Sequence, residues 1–177
     1  MQEKANGQFY APKGKAAPVC AKGEFKVGVI GLEHGHIYGM CNGLSEAGAE
    51  ILSVWDPDPA KVEAFVKAFP GSRPASSEKE VLEAGDLHMI AGAPIPCERG
   101  ALGLKVMAQG KDYFCDKPPL TTLEDVAACR KAVAETGRKF AVNYSERLHV
   151  EAAVYAEKLV AEGAIGKALQ IIGPGPH

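Results

Sequence analysis

Four groups of residues in this chain have side chains that can do chemistry. Lys117 lies in the run Cys115-Asp116-Lys117-Pro118-Pro119. An ammonium at a strand end can orient a ring and a substrate hydroxyl, or move a proton if burial lowers its pKa. Asp116 acts against that lowering, because a neighbouring carboxylate favours the charged ammonium. Pro118 holds Lys117 extended and opens the way to a cis Lys117–Pro118 bond. The competing reading of Lys117 is an exposed surface lysine. His34 and His36 form an H-x-H pair, but a metal site needs further ligands and the neighbouring sequence offers none. The two imidazoles then belong at a helix start, near phosphates or a substrate. Tyr144, Arg147 and His149 cluster after an apolar run, where an arginine fork suits a carboxylate or polyol. A polar network at a domain boundary is the alternative there. Asp56 ends another apolar run and can accept hydrogen bonds from hydroxyls.

The elements that must position these groups begin at Phe25. Val27-Gly28-Val29-Ile30 is an apolar run whose β-branched residues suit a buried parallel strand. The glycine turn Gly31-Leu32-Glu33-His34-Gly35-His36 follows, then a helix-length segment through Ala47, then the apolar run Ile51 to Trp55 and Asp56. Strand, glycine turn, helix, strand and terminal carboxylate is the order of a dinucleotide-binding βαβ unit. Gly31 permits the tight turn, the helix N-terminus offers N–H groups to a pyrophosphate, and Asp56 suits the adenosine ribose. The fingerprint is imperfect. Glu33 and His36 stand where the second and third glycines belong, and Gly35 is the nearby glycine. The Glu33 carboxylate must point away, or it repels the phosphates. A doubly wound domain whose glycine turn holds no nucleotide is the other reading.

The alternation continues. Strands are expected at 50–55, near 73–75, at 87–91, at 113–115 and at 140–144. Pro59 opens a helix carrying Val62, Phe65, Val66 and Phe69 on one face, and Ser77 with Glu80 marks a capping box. Helices are also expected at 98–109 and at 123–136, the latter capped by Thr122 and stopped by Gly137. Strands separated by helices imply a doubly wound parallel sheet of the Rossmann type, with the ligand at the carboxyl ends of the strands. Ala93-Pro94 and Asp116-Lys117 end two of those strands. The pattern then changes to an alanine-rich helix at 150–162 and a strand at 166–172. The expected organisation is a polar arm at 1–23, a dinucleotide-binding domain at 24–145 and the start of a second α/β domain at 146–177. Phe9 and Tyr10 are the only large apolar anchors of the arm.

With 177 residues, 46% hydrophobic, the chain can bury one α/β domain. Its formal charge of −2 gives no general attraction to nucleic acid or an anionic membrane. The five cysteines are odd in number and lack a CxxC pairing, so they read as reduced thiols in a cytoplasmic protein. The N-terminus has no apolar run of the signal-peptide kind.

These residues resemble the Gfo/Idh/MocA oxidoreductases. The similarity rests on Gly31-x-x-x-Gly35-His36, Asp56, Gln109-Gly110-Lys111 and Asp116-Lys117-Pro118, with Gly163-Ala164-Ile165-Gly166-Lys167 like the family's step into its second domain. It runs from Phe25 to the C-terminus. The family's lysine motif is usually Glu-Lys-Pro, and Arg99 stands where a histidine is frequent. The resemblance implies NAD(P)-dependent oxidation or reduction at a carbinol carbon of a sugar or cyclitol. It implies Lys117 as the catalytic residue near nicotinamide and substrate, and Gly31, Leu32, His34, Gly35, His36, Asp56, Pro94 and Asp116 as cofactor-binding. Tyr144 and Arg147 are substrate candidates, and no metal is implied. Asp56 favours NAD over NADP, since a carboxylate repels a 2′-phosphate. The family's second domain supplies a catalytic histidine and often the oligomer contact. His177 is not that histidine, because the chain ends as that domain would begin. The alternative function is a nucleotide-binding module without catalysis.

Overall fold

The structure, a computed structural model, describes residues 17–145 and 150–173. Expectations for Phe9, Tyr10, Arg147, His149 and His177 lie outside the described residues. One compact unit ends at Asn143, and the described residues from Tyr144 onward belong to a second.

The first unit contains six parallel strands: β1 (Lys26–Ile30), β2 (Glu50–Trp55), β3 (Arg73–Pro74), β4 (Met89–Gly92), β5 (Asp112–Asp116) and β6 (Phe140–Asn143). Their order is β3-β2-β1-β4-β5-β6. The crossovers carry α1 (His36–Glu46), α2 (Pro59–Ala68), α3 (Glu78–Glu83), α4 (Pro96–Ala108) and α5 (Leu123–Thr136). This is the doubly wound order, and the chain reverses direction between β1 and β4.

The period of two along each strand divides the core. Val27 and Val29 face one side with Ile37, Met40, Cys41 and Phe65 from α1 and α2. Ile30 and Ile90 face the other with Val81, Leu82, Leu102 and Val106 from α3 and α4. The helix starts follow from the sequence. Asp58 accepts from the Ala60 amide with Pro59 at the first turn, and Thr122 accepts from the Asp125 amide at 3.0 Å. In α3 the Ser77 hydroxyl accepts from the Glu80 amide, but the Glu80 carboxylate reaches Ser76 instead of closing the box on Ser77.

Two element starts differ from expectation by two residues. Helix α4 begins at Pro96, because proline needs no N–H at a first helical turn. Strand β4 begins after His88, whose Nδ1 accepts from the Lys26 amide while its ring stacks on Phe25, a structural use of that histidine. In the second unit, α6 (Glu151–Ala161) forms as expected. The strand expected at 166–172 does not, and Leu169, Ile171 and Ile172 are exposed. A strand exists through hydrogen bonds to a neighbour, and no described segment pairs with this one.

Neighbouring strands come close at Gly92. A Cβ on Gly92 would lie 2.6 Å from the Ile30 carbonyl oxygen, a backbone atom of the adjacent strand. Gly92→Ala should therefore lower unfolding free energy by about 1–3 kcal/mol, read from urea melts. Gly71→Ala, whose Cβ would meet nothing within 4 Å, is the control and should stay near wild type.

Candidate cofactor and active site

The glycine turn is fastened between two strand ends. The Gly31 amide donates to the Trp55 carbonyl, and its own carbonyl accepts from the Ala93 amide at 3.0 Å. The His34 amide donates back to the Ala93 carbonyl. Gly31 has φ +83°, and a Cβ there would meet Pro94 at 2.9 Å, so both conformation and space require glycine. Pro94 is buried and packs beneath the turn. Gly35 is different: a Cβ there would meet nothing within 4 Å, so the protein interior does not demand glycine. Leu32 is used inside the fold, its side chain in the core and its amide donating to Asp56 at 2.6 Å. The other Asp56 oxygen accepts from the Asp58 amide at 2.9 Å. Asp56 is thus a buried pin for the turn. Each carboxylate oxygen retains a second lone pair for another donor.

Glu33 swings out to Lys61 on α2, forming an ion pair. The hydrogen bond to Glu33 raises the Lys61 ammonium above its ordinary pKa, helped by the charges of Asp56 and Asp58. The problem posed by an acidic residue in the glycine turn is answered by this pairing.

At the end of β5, Asp116 is fully buried. Its Oδ1 lies 2.9 Å from His36 Nδ1, and its Oδ2 lies 3.5 Å from His34 Nδ1 and 3.2 Å from Arg99 Nη2. Asp116 thus presents no exposed surface, and its two oxygens lie against His36, His34 and Arg99. It is not paired with Lys117. The Lys117 side chain is half-buried with no hydrogen-bond or ion-pair partner among the described residues, and the Lys117–Pro118 bond is cis. The His34 and His36 rings meet edge to face, their centroids 4.1 Å apart, and His34 Nδ1 accepts from the His36 amide.

The fold also supplies what the H-x-H pair lacked in sequence. Asp116 joins the two histidines with ligand atoms all within 4.8 Å of one another. Arg99, however, sets a fixed positive charge on the same carboxylate, and a cation there would have to overcome it. Arg99 is the residue sequence reasoning missed. It is 1% exposed, and its Nε donates to the Pro94 carbonyl at 2.8 Å and its Nη1 to the Pro118 carbonyl at 3.0 Å. The signal was its place on α4: Leu102, Gly103 and Val106 follow at helical spacing and are buried. An arginine on such a face needs a buried acceptor.

Other titratable groups nearby are structural. Burial pushes the Cys115 thiol up to about 12 and the Cys41 thiol likewise to about 12, which removes both as nucleophiles at neutral pH. Burial lowers Lys111, which donates to the Leu82 carbonyl at 2.8 Å and closes the turn before β5. Tyr144 is half-exposed in the second unit, and Arg147 lies outside the described residues.

Sheet order, glycine turn and strand-end carboxylate together define a dinucleotide-binding α/β domain. The chain belongs to the Gfo/Idh/MocA family: the model described as "Oxidoreductase family, NAD-binding Rossmann fold" matches residues 25–144. Among solved structures it is similar to a candidate oxidoreductase from Erwinia carotovora atroseptica SCRI1043, with 44% identity, TM-score 0.77, and coverage of 81% of this chain and 43% of that one. A candidate myo-inositol dehydrogenase from Sinorhizobium meliloti 1021 is 26% identical with TM-score 0.68, covering 80% of this chain and 42% of that one. Among curated proteins, an uncharacterized oxidoreductase from Streptococcus pneumoniae is 28% identical over 127 residues, 69% of this chain and 32% of its own length. The chain thus spans less than half the length of these relatives.

The buried cluster separates two neighbouring residues by their energetic weight. Asp116→Ala leaves the Arg99 charge uncompensated and should cost about 3–5 kcal/mol in denaturant unfolding. Lys117→Ala should stay within about 0.5 kcal/mol of wild type, because the side chain has no partner among the described residues to lose.

Proposed function

We propose that this chain is the cofactor-binding part of an NAD-dependent oxidoreductase acting on a carbinol or carbonyl carbon of a cyclitol, sugar or related polyol. One observation carries the reading. A glycine turn cleared of its acidic charge, a ribose-type carboxylate and a lysine without a partner among the described residues all follow strand ends at the carboxyl edge of one sheet, around its switch point. The similarity to the candidate myo-inositol dehydrogenase of S. meliloti supports the polyol class.

The residues fit a dinucleotide. The open space at Gly35 admits a phosphate close to the backbone at the start of α1. With Glu33 neutralised by Lys61, the turn no longer presents a free carboxylate to that phosphate. Asp56 has acceptor capacity left for ribose hydroxyls and would repel a 2′-phosphate, which favours NAD over NADP. It also borders a largely apolar cleft of roughly 580 Å³, walled by Trp55, Pro57, Val62, Val66 and Pro74, which offers the adenosine end an apolar surface. When bound, the nicotinamide supplies hydride transfer. The chain's own part is to hold it, exclude water and present the Lys117 ammonium to a substrate hydroxyl or carbonyl oxygen.

Titration with NADH and NADPH, followed by quenching of Trp55, tests the reading. NADH should bind about tenfold or more tightly than NADPH, as expected of a carboxylate against a 2′-phosphate. Equal affinity for the two sinks Asp56 as selector, and no response to either sinks the proposed function. Lys61→Ala should weaken NADH by freeing the Glu33 charge, and Glu33→Gln added to it should restore binding. In a full-length version carrying the second domain, NADH formation from NAD and a panel of cyclitols and sugars tests the substrate class, with Lys117→Ala expected to abolish turnover and leave NADH affinity unchanged.

A further inference from the structure

Arg99 is a large side chain to bury, and its hydrogen bonds all go to one place. Nε holds the Pro94 carbonyl at the end of β4, Nη1 the Pro118 carbonyl, and Nη2 the Asp116 carboxylate at the end of β5. Two of these acceptors flank Lys117 on either side. The third, Pro94, lies under Gly31 in the glycine turn. Through Asp116 the chain of contacts continues to His36 Nδ1, across a sequence separation of 80 residues. The His36 side chain is 37% exposed, and its Nε2 has no partner among the described residues. Nδ1 and Nε2 lie on different edges of the imidazole, so anchoring Nδ1 on a buried carboxylate directs the other edge away from it.

A structural arginine would need only to satisfy its donors. This one ties together the two loops and the helix start that surround the crevice between β1, β4 and β5. A planar guanidinium with donors fixed in a fork sets the relative orientation of its three acceptors, which a lysine ammonium cannot do. We propose that Arg99 is the positioning residue of the nicotinamide half of the site, fixing Lys117 through Asp116 and Pro118 and fixing His36 through Asp116. His36 then contacts the cofactor or substrate on that half, while Asp56 and the Glu33–Lys61 pair serve the adenosine half. This rests on the dinucleotide reading above.

The test separates the two halves of the cofactor by calorimetry on the whole chain, with NADH and ADP as the probes. Arg99→Lys keeps the charge and loses the fork. It should weaken NADH about tenfold through lost preorganisation and leave ADP within about twofold. His36→Gln should weaken NADH and not ADP, and the double variant should be no worse than Arg99→Lys alone, because both act through one carboxylate. Unchanged NADH affinity in Arg99→Lys overturns the proposal and leaves the dinucleotide reading intact. So does a parallel loss of both ligands with the two substitutions multiplying, which is the behaviour of a purely structural arginine. Failure of the wild-type chain to bind NADH overturns both. Should Arg99→Lys fail to fold, nuclear magnetic resonance of the wild-type chain decides. The Arg99 Nε–H and His36 ring signals should shift with NADH and stay fixed with ADP, and signals unmoved by NADH overturn the proposal.

Discussion

A carboxylate taken wholly out of water must be compensated, and that constraint organises the carboxyl end of this sheet. Asp116 has no exposure at all. Its compensation comes from two places far apart in sequence: Arg99 on α4 and His36 at the start of α1. Each partner belongs to a different crossover or turn of the sheet. Satisfying one buried charge therefore draws the glycine turn, the β4 loop and the β5 end into a fixed arrangement. Lys117 follows Asp116 directly and inherits that arrangement without a partner of its own among the described residues.

The second constraint is charge in the glycine turn. The dinucleotide fingerprint puts glycines where a backbone must come close to phosphates, and this chain puts Glu33 and His36 at two of those positions. The fold accommodates both substitutions by sending the side chains sideways. Glu33 goes to Lys61 on α2, and His36 goes to Asp116 on β5. The turn itself stays in place because Gly31 is stapled to the ends of β2 and β4, and because Asp56 binds the Leu32 amide. Asp56 thus has two uses, one inside the protein and one proposed toward a ribose. The same economy explains why Pro94 matters without exposing itself: it supports Gly31 from below and offers its carbonyl to Arg99.

The buried thiols and Lys111 show what a perturbed group means when no crevice is attached to it. Cys41 and Cys115 are shifted by burial in the core, and Lys111 by burial at a turn, where its carbonyl partners leave the ammonium a purely structural task. Lys117 combines partial exposure, a strand-end position and the absence of a partner among the described residues. In the proposed oxidoreductase, that combination separates a reacting lysine from a packing one.

The sequence alone determined the doubly wound sheet and the position of its glycine turn. Apolar runs of strand length, helical faces such as Val62 with Phe65, and caps such as Asp58 and Thr122 are local signals, and local physics decides them. The family and the lysine motif were legible for the same reason, since both are short contiguous runs. The expected strand at 166–172 failed because strand formation depends on a partner the run does not itself specify. Only tertiary structure decided where the charges went. That Glu33 pairs with Lys61, that Asp116 serves His36 instead of Lys117, and that Arg99 joins the loops after β4 and β5 depend on contacts between residues distant in sequence. A side chain's type gives its need for a partner. Which partner it finds is fixed by the crossovers that bring strand ends together.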